Sequence, residues 1–172
     1  MAEPKIPPSE RIVSSLKQLA AETNDFDRAF AELLETIAPV ESALSTLNLR
    51  VSAWHQVAGH EDRDGSYWSR SIGWAKADGQ RWGIAIRRAW GHEFADQHNE
   101  ETWPFKDAPS WMCIESAGKL PDLVDELIKR TKENAEKVKA RAAQNRDLAA
   151  AITAALPEII PKPVANAKGA KK

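Results

Sequence analysis

The sequence predicts an α+β fold with N-terminal amphipathic helices, a Trp-rich antiparallel sheet of about four strands and a long C-terminal helix. All seven tryptophans, all four histidines and six of the eight glycines lie between residues 54 and 111. The flanking segments are rich in Ala, Leu, Glu and Lys, which favour helices. The apolar spacing also changes from helical to alternating near residue 49, and becomes helical again near residue 120.

Two or three helices are predicted before residue 48. Ser9 is a candidate N-cap for the first helix, whose apolar residues at helical spacing are Ile12, Val13, Leu16, Leu19 and Ala20. The polar run Thr-Asn-Asp that follows offers caps for a second helix, whose apolar stripe is Phe26, Phe30, Leu33, Leu34 and Ile37. Pro39 either kinks this helix or begins a third one. A new start is the easier outcome, because proline is tolerated at a helix's first position.

Three strands are predicted next. Residues 49–57 alternate in polarity, 59–65 form a polar loop, and residues 67–76 and 80–90 flank the turn sequence Ala-Asp-Gly. A two-residue turn would place Trp74 opposite Gly83. A three-residue loop with a left-handed Gly79, which we favour, places Trp74 opposite Trp82. This register gathers the apolar side chains on one face, namely Trp68, Ile72, Trp74, Trp82, Ile84, Ile86 and Trp90. The margins of that face carry Arg70, Lys76 and Arg88.

A loop is predicted over residues 91–110 and a short fourth strand over Trp111–Glu115. A long helix then begins at Leu120, with proline and an acidic residue in its first turn. Residues 1–8 are expected to be flexible, 9–128 to form the α+β core, 129–156 to form a helical arm, and 157–172 to form a disordered basic tail beginning at Pro157.

The charge is unevenly distributed. Residues 119–172 carry twelve basic and seven acidic side chains, whereas residues 1–50 carry five and eight. No apolar run approaches the ~20 residues that span a bilayer. The N-terminus has no apolar segment typical of a signal peptide, and a single cysteine excludes an intramolecular disulfide. We therefore expect a cytoplasmic protein without a membrane partner.

No motif of known catalytic mechanism is present, and Cys113 is expected to pack inertly in a strand. We therefore lean away from an enzyme and predict no cofactor. One alternative is a metal-dependent or small-ligand-binding enzyme that uses the polar loops, since imidazole and carboxylate together suit zinc. Its candidate ligands are His60, Asp62, His92 and His98.

Binding of single-stranded nucleic acid is a second alternative, because arginines interleave with tryptophans in the sheet. The leading interpretation is a non-enzymatic interaction or accessory protein that acts through its helical arm and sheet surface. An apolar patch at the end of the arm, Leu148, Ile152 and Leu156, is the candidate partner-binding site. The partner would be another protein or a second copy in a coiled-coil-like oligomer, unless the N-terminal helices cover the patch.

Overall fold

The computed structural model describes residues 8–77, 79, 81–95 and 97–159. Seven helices and strands follow one another along the chain: α1 (Pro8–Thr46), β1 (Ala53–Glu61), β2 (Ser66–Ala75), β3 (Gly83–His92), β4 (Gln97–Pro104), α2 (Ser110–Ala117) and α3 (Leu120–Ile159). The predicted α+β class, with an antiparallel sheet of four strands and a long C-terminal helix, is confirmed.

The two ends of the chain are helical as far as they are described. Pro8 already belongs to α1, although residues 1–8 were predicted to be flexible. α3 continues to Ile159, so the prediction that the helix stops at Pro157 is wrong. The rest of the two predicted unstructured ends, residues 1–7 and 160–172, lies outside the described residues.

One continuous helix, α1, replaces the two or three that the sequence predicts. The break expected at the Thr-Asn-Asp run does not occur. Thr23 donates its hydroxyl hydrogen to the Leu19 carbonyl at 2.8 Å, and Arg28 pairs with Asp25 at 2.7 Å. Because these polar groups are satisfied within the helix, they do not end it. Pro39 also lies inside α1 and removes one backbone hydrogen bond there without starting a new helix.

α1 ends where Asn48 adopts a left-handed conformation, with a φ of 49°. Its N–H donates to the Ser45 carbonyl at 3.0 Å, a helix-ending arrangement for which asparagine is well suited. The first strand begins at Ala53 and runs to Glu61, four residues later than the sequence predicts. The loop predicted over 59–65 therefore shrinks to a tight turn, in which the Asp62 N–H donates to the Ser66 carbonyl at 2.8 Å.

The sheet has the order β1-β2-β3-β4, and every neighbouring pair is antiparallel. Trp74 lies opposite Ile84, so neither predicted register is correct. The observed register differs from the favoured one by two positions, which leaves the alternation of faces unchanged. The apolar side chains therefore lie on the same face as predicted. The connection between β2 and β3, residues 76–82, is longer than the predicted three-residue loop. Gly79 within it is left-handed, with a φ of 74°.

The fourth strand, β4, lies within the segment that was predicted to be a loop. It is an edge strand whose first five residues are exposed and polar, with the sequence Gln-His-Asn-Glu-Glu. Such a strand has no apolar alternation to reveal it, and charged side chains on an edge also discourage pairing with other chains. The segment predicted as the fourth strand, Trp111–Glu115, is instead part of α2. The predicted loop over residues 91–110 and the predicted strand over Trp111–Glu115 are therefore both wrong, although the predicted number of four strands is correct.

The hydrophobic core lies between one face of the sheet and the three helices. We call this the helix face, and four of its side chains are completely or almost completely buried: Ile72, Trp74, Ile84 and Ile86. The helices contribute further buried residues, namely Ile37 and Leu44 from α1, Met112 and Cys113 from α2, and Leu123 and Leu127 from α3. The opposite side of the sheet, which we call the outer face, carries the glycines, alanines and serines of β2 and β3.

The chain divides into two compact units, with the boundary between Ile128 and Lys129, inside α3. The first unit holds the sheet, α1, α2 and the opening turns of α3. The second is helical as far as Ile159. None of the helices described between residues 8 and 159 is long and apolar enough to cross a membrane.

Candidate functional site

The helix face is covered by helices over only part of its length. Towards the other end of β2 and β3, Trp68 lies directly opposite Trp90, and Arg70 directly opposite Arg88. Trp68 is 41 % exposed, Trp90 is half-buried and Arg88 is exposed. The aromatic face predicted from the sequence thus has a buried part and an accessible part, and the accessible part combines indole rings with guanidinium groups.

A cavity of about 500 Å³ opens at this accessible part. Its lining comes from β1, β2, β3 and α2 and consists of Ala58, Trp68, Arg70, Arg88, Trp111 and Glu115. All six residues belong to the first compact unit. We call this space the Trp–Arg cavity. It joins two partly exposed indoles, two cations and one carboxylate.

Arg70 is held firmly in the wall of the Trp–Arg cavity. Only 5 % of the residue is exposed, its guanidinium pairs with the Glu115 carboxylate, and it stacks on Trp111 at 4.7 Å from the ring centre. No acceptor among the described residues reaches its Nε. A buried cation requires a partner, and Glu115 supplies one. The charge of Arg70 is therefore largely compensated within the protein.

Arg88 is the accessible cation of the cavity. Its guanidinium lies 5.1 Å from the centre of the Trp90 ring, a distance typical of a cation–π contact. Because Arg88 stands directly opposite Arg70 in the sheet, two like charges face each other across β2 and β3. Each cation also has an acidic neighbour, since Arg88 stands directly opposite Glu101 of β4 and Arg70 pairs with Glu115. An accessible guanidinium next to exposed indoles marks this surface as a candidate binding site.

The sequence did not point to Trp111 and Glu115, since both were assigned to a strand. In α2 they are four residues apart on the exposed side, whereas Met112, Cys113 and Ser116 are buried. That pattern is helical, and Pro109 before it with Gly118 after it are ordinary helix boundaries. The Cys113 thiol donates to the Phe105 carbonyl at 3.1 Å, and burial raises its pKa, so it is an unreactive packing group as expected.

The four predicted metal ligands are distributed over three places. His60 Nε2 lies 3.0 Å from Asp62 Oδ1, and both side chains are exposed. His92 pairs with Gln97 and His98 with Gly91, so these two histidines point to opposite faces of the sheet and cannot share a site. Among the described residues, no three His, Cys, Asp or Glu side chains are grouped as metal ligands.

His98 takes part in a row of polar contacts across the outer face. Its Nδ1 is hydrogen-bonded to the Tyr67 hydroxyl at 2.5 Å, and its Nε2 lies 3.9 Å from Glu100. Glu100 lies 3.7 Å from Arg87, whose guanidinium stacks 4.4 Å over the Trp54 ring. Long side chains therefore cover the small residues of this face. Because these side chains bind one another, we interpret the row as structural.

The predicted partner-binding residues are all accessible. Leu148, Ile152 and Leu156 are between 43 % and 59 % exposed, and they lie four residues apart on α3. A second accessible apolar set lies in the first half of α1. There Ile12, Leu16, Leu19 and Phe26 are between 46 % and 62 % exposed. Apolar side chains at helical spacing and this degree of exposure are typical of helix–helix contacts.

Comparisons with known proteins do not place the chain in a family. No protein-family model matches it, and no curated protein or solved structure is significantly similar to it.

Proposed function

We propose that this chain is a non-enzymatic interaction protein that self-associates, with α1 of one copy packed against the helical arm of a second copy. The observation that carries the proposal is the exposed apolar stripe in the first half of α1. Its apolar residues Ile12, Leu16, Leu19 and Phe26 are 46–62 % exposed within the single chain. An amphipathic helix gains most of its stability from covering such a stripe, so a partner surface is required.

The stripe on α1 has the spacing of a coiled coil. Because the helix is continuous, its residues follow one another at alternating steps of four and three: Ile12, Leu16, Leu19, Thr23, Phe26 and Phe30. This 3.5-residue repeat keeps one seam facing a partner helix. The same repeat continues to Leu44, which is buried in the core. The exposed part is thus the free extension of a seam that is covered further along.

The arm carries a matching seam. Its residues also follow at steps of three and four: Ala135, Val138, Ala142, Asn145, Ala149, Ile152 and Leu156. Ile152 and Leu156 belong to the predicted partner-binding patch, and Leu148 flanks them. Val138 is also exposed, at 67 %. The small alanines between the larger residues leave room for bulky side chains of a facing helix.

The charges of the two helices are complementary. α1 carries seven acidic and three basic side chains, whereas residues 129–156 carry three acidic and seven basic ones. Beside the α1 seam stand Glu22 and Asp27, and beside the arm seam stand Lys139, Arg141 and Arg146. Charges at such flanking positions select the partner and the orientation of paired helices.

An antiparallel register satisfies both seams at once. It places Leu16 opposite Ile152, Thr23 opposite Asn145, and Phe26 opposite Ala142. The apolar start of the α1 seam then packs against the apolar end of the arm seam. The acidic side chains of α1 likewise lie next to the basic side chains of the arm. The two polar seam residues pair with each other. A polar pair at one seam position fixes the register of a coiled coil.

Mixing two variants that each add one cysteine to the buried Cys113 tests whether the partner is a second copy. Thr23→Cys and Asn145→Cys protein, mixed and oxidised, should give a disulfide-linked dimer that contains one chain of each kind. Thr153→Cys in place of Asn145→Cys is the control, since it lies about 12 Å further along the helix. Absence of the mixed dimer would contradict the proposal. So would a double variant Thr23→Cys/Asn145→Cys that is cross-linked within a single chain, because the arm would then be covered by its own N-terminal helix.

Light scattering provides an independent readout. Leu16→Asp and Ile152→Asp should each reduce the mass in solution from oligomer to monomer. Ser14→Asp, which introduces the same charge on the far side of α1, should leave it unchanged. A parent protein that is monomeric at all concentrations would overturn the proposal.

A further inference from the structure

We propose that the Trp–Arg cavity is a binding site for a ligand that combines a flat aromatic ring with a negatively charged group, the chemistry of a nucleotide. This inference is independent of self-association. The cavity lies between the sheet and α2 in the first unit, whereas the association seams lie on α1 and the arm. It assigns a function to residues that the hydrophobic core does not use.

The indoles provide the aromatic half of the site. Trp68 is 41 % exposed and Trp111 is 47 % exposed, although the core a few residues away buries Trp74 completely. Large aromatic side chains contribute most when they are removed from water. Two that stay accessible around one cavity of about 500 Å³ form a surface on which a planar ring can stack.

The guanidinium groups provide the anionic half. Arg70 and Arg88 are directly opposed in the sheet, where like charges repel, and Glu115 compensates the buried member of the pair. Arg88 is the exposed member. Arg88 has Glu101 as its cross-strand neighbour on β4, and its guanidinium also lines the cavity, where an anionic group can reach it. A guanidinium also matches the geometry of a phosphate or carboxylate group.

Substitution of Glu115 separates anion binding from a purely structural role of this cluster. Its carboxylate is half-exposed and lines the same cavity. It therefore repels an anion while it holds Arg70 in place. Glu115→Gln keeps the shape of the side chain and a hydrogen-bond acceptor for Arg70 but removes this repulsion. The variant should bind an anionic ligand more tightly than the parent does, by about tenfold if one close charge–charge contact is removed.

The first experiment uses tryptophan fluorescence and calorimetry on the full chain. Adenosine 5′-monophosphate serves as the complete probe, adenosine as the ring alone, and inorganic phosphate as the charge alone. The monophosphate should bind and each half should bind at least about tenfold more weakly. A ten-residue deoxythymidine strand distinguishes the source of the ligand. Tighter binding of the strand than of the monophosphate indicates a single-stranded nucleic acid, and equal binding indicates a free nucleotide.

The variants locate the binding. Trp68→Ala and Arg88→Gln should each weaken binding about tenfold, the scale of one lost stacking or ionic contact. Arg63→Gln removes an exposed arginine that does not line the cavity, and it should have no effect. Three results would overturn the proposal: no binding of the monophosphate or the strand at millimolar concentration, equal binding of adenosine and its monophosphate, or binding that Glu115→Gln weakens while the variant melts like the parent.

Discussion

The Trp54 ring lies directly against Gly73, its cross-strand partner, and occupies the space that a β-carbon at position 73 would need. An aromatic ring laid over a glycine compensates for the missing side chain and fixes the register of the two strands. Here it also carries the stack with Arg87 across the outer face. Position 73 is thus a glycine because the Trp54 ring fills the space of a β-carbon, and not because its backbone conformation excludes other residues.

Gly73→Ala should therefore destabilise the protein by about 1–3 kcal/mol, the usual cost of overpacking. Urea unfolding followed by circular dichroism measures the change. In a Trp54→Ala background the same substitution should cost much less, because the ring that it displaces is gone. Gly118→Ala is the control, since a β-carbon there meets no atom and the residue has an ordinary helical conformation. Equal costs of Gly73→Ala in both backgrounds would contradict the interpretation.

Trp74→Ala should lower the free energy of unfolding by about 3–5 kcal/mol, because it removes a completely buried indole from the centre of the core. Trp68→Ala, in the accessible part of the same face, should change it by less than about 1 kcal/mol. Comparing the two urea midpoints tests where the core ends. Similar losses in both variants would show that the accessible part of the face is also structural core.

The stability should depend on pH through Glu41. Burial raises the pKa of its carboxyl, although Lys106 and a hydrogen bond from the Ile84 N–H lower it. A raised pKa means that the folded chain binds this proton more readily than the unfolded chain does. Above the ordinary value of 4.5, ionisation of Glu41 therefore works against folding as the pH rises.

Glu41→Gln removes that ionisation and keeps an acceptor for the Ile84 N–H. The variant should gain stability relative to the parent when the pH is raised from 4.5 to 7, as measured by urea unfolding at each pH. Glu32→Gln, on the exposed part of α1, is the matched control and should show no such trend. A variant that loses stability relative to the parent over this range would show that the attraction of Lys106 outweighs burial.

Several parts of the candidate surfaces could be predicted from the sequence. The arm residues Leu148, Ile152 and Leu156 stand out because apolar residues follow a polar stretch. The alternation in β2 and β3 correctly placed Trp68, Arg70, Arg88 and Trp90 on one face. Which part of that face is accessible could not be predicted, because it depends on where helices remote in sequence come to lie.

The sequence by itself determined the α+β class, the face composition of the central hairpin and the start of α3 at Leu120. These follow from local periodicity and from the residue types at turns and helix starts, which act over a few residues. The tertiary structure alone decided the rest. It made α1 continuous past Pro39, paired a polar segment as the edge strand β4, and folded residues 110–117 into a helix. In each case local preferences are weak or divided, and contacts with distant parts of the core select the conformation. The Trp–Arg cavity arises from the same selection, because the helical form of α2 presents Trp111 and Glu115 at the cavity while it buries Met112, Cys113 and Ser116.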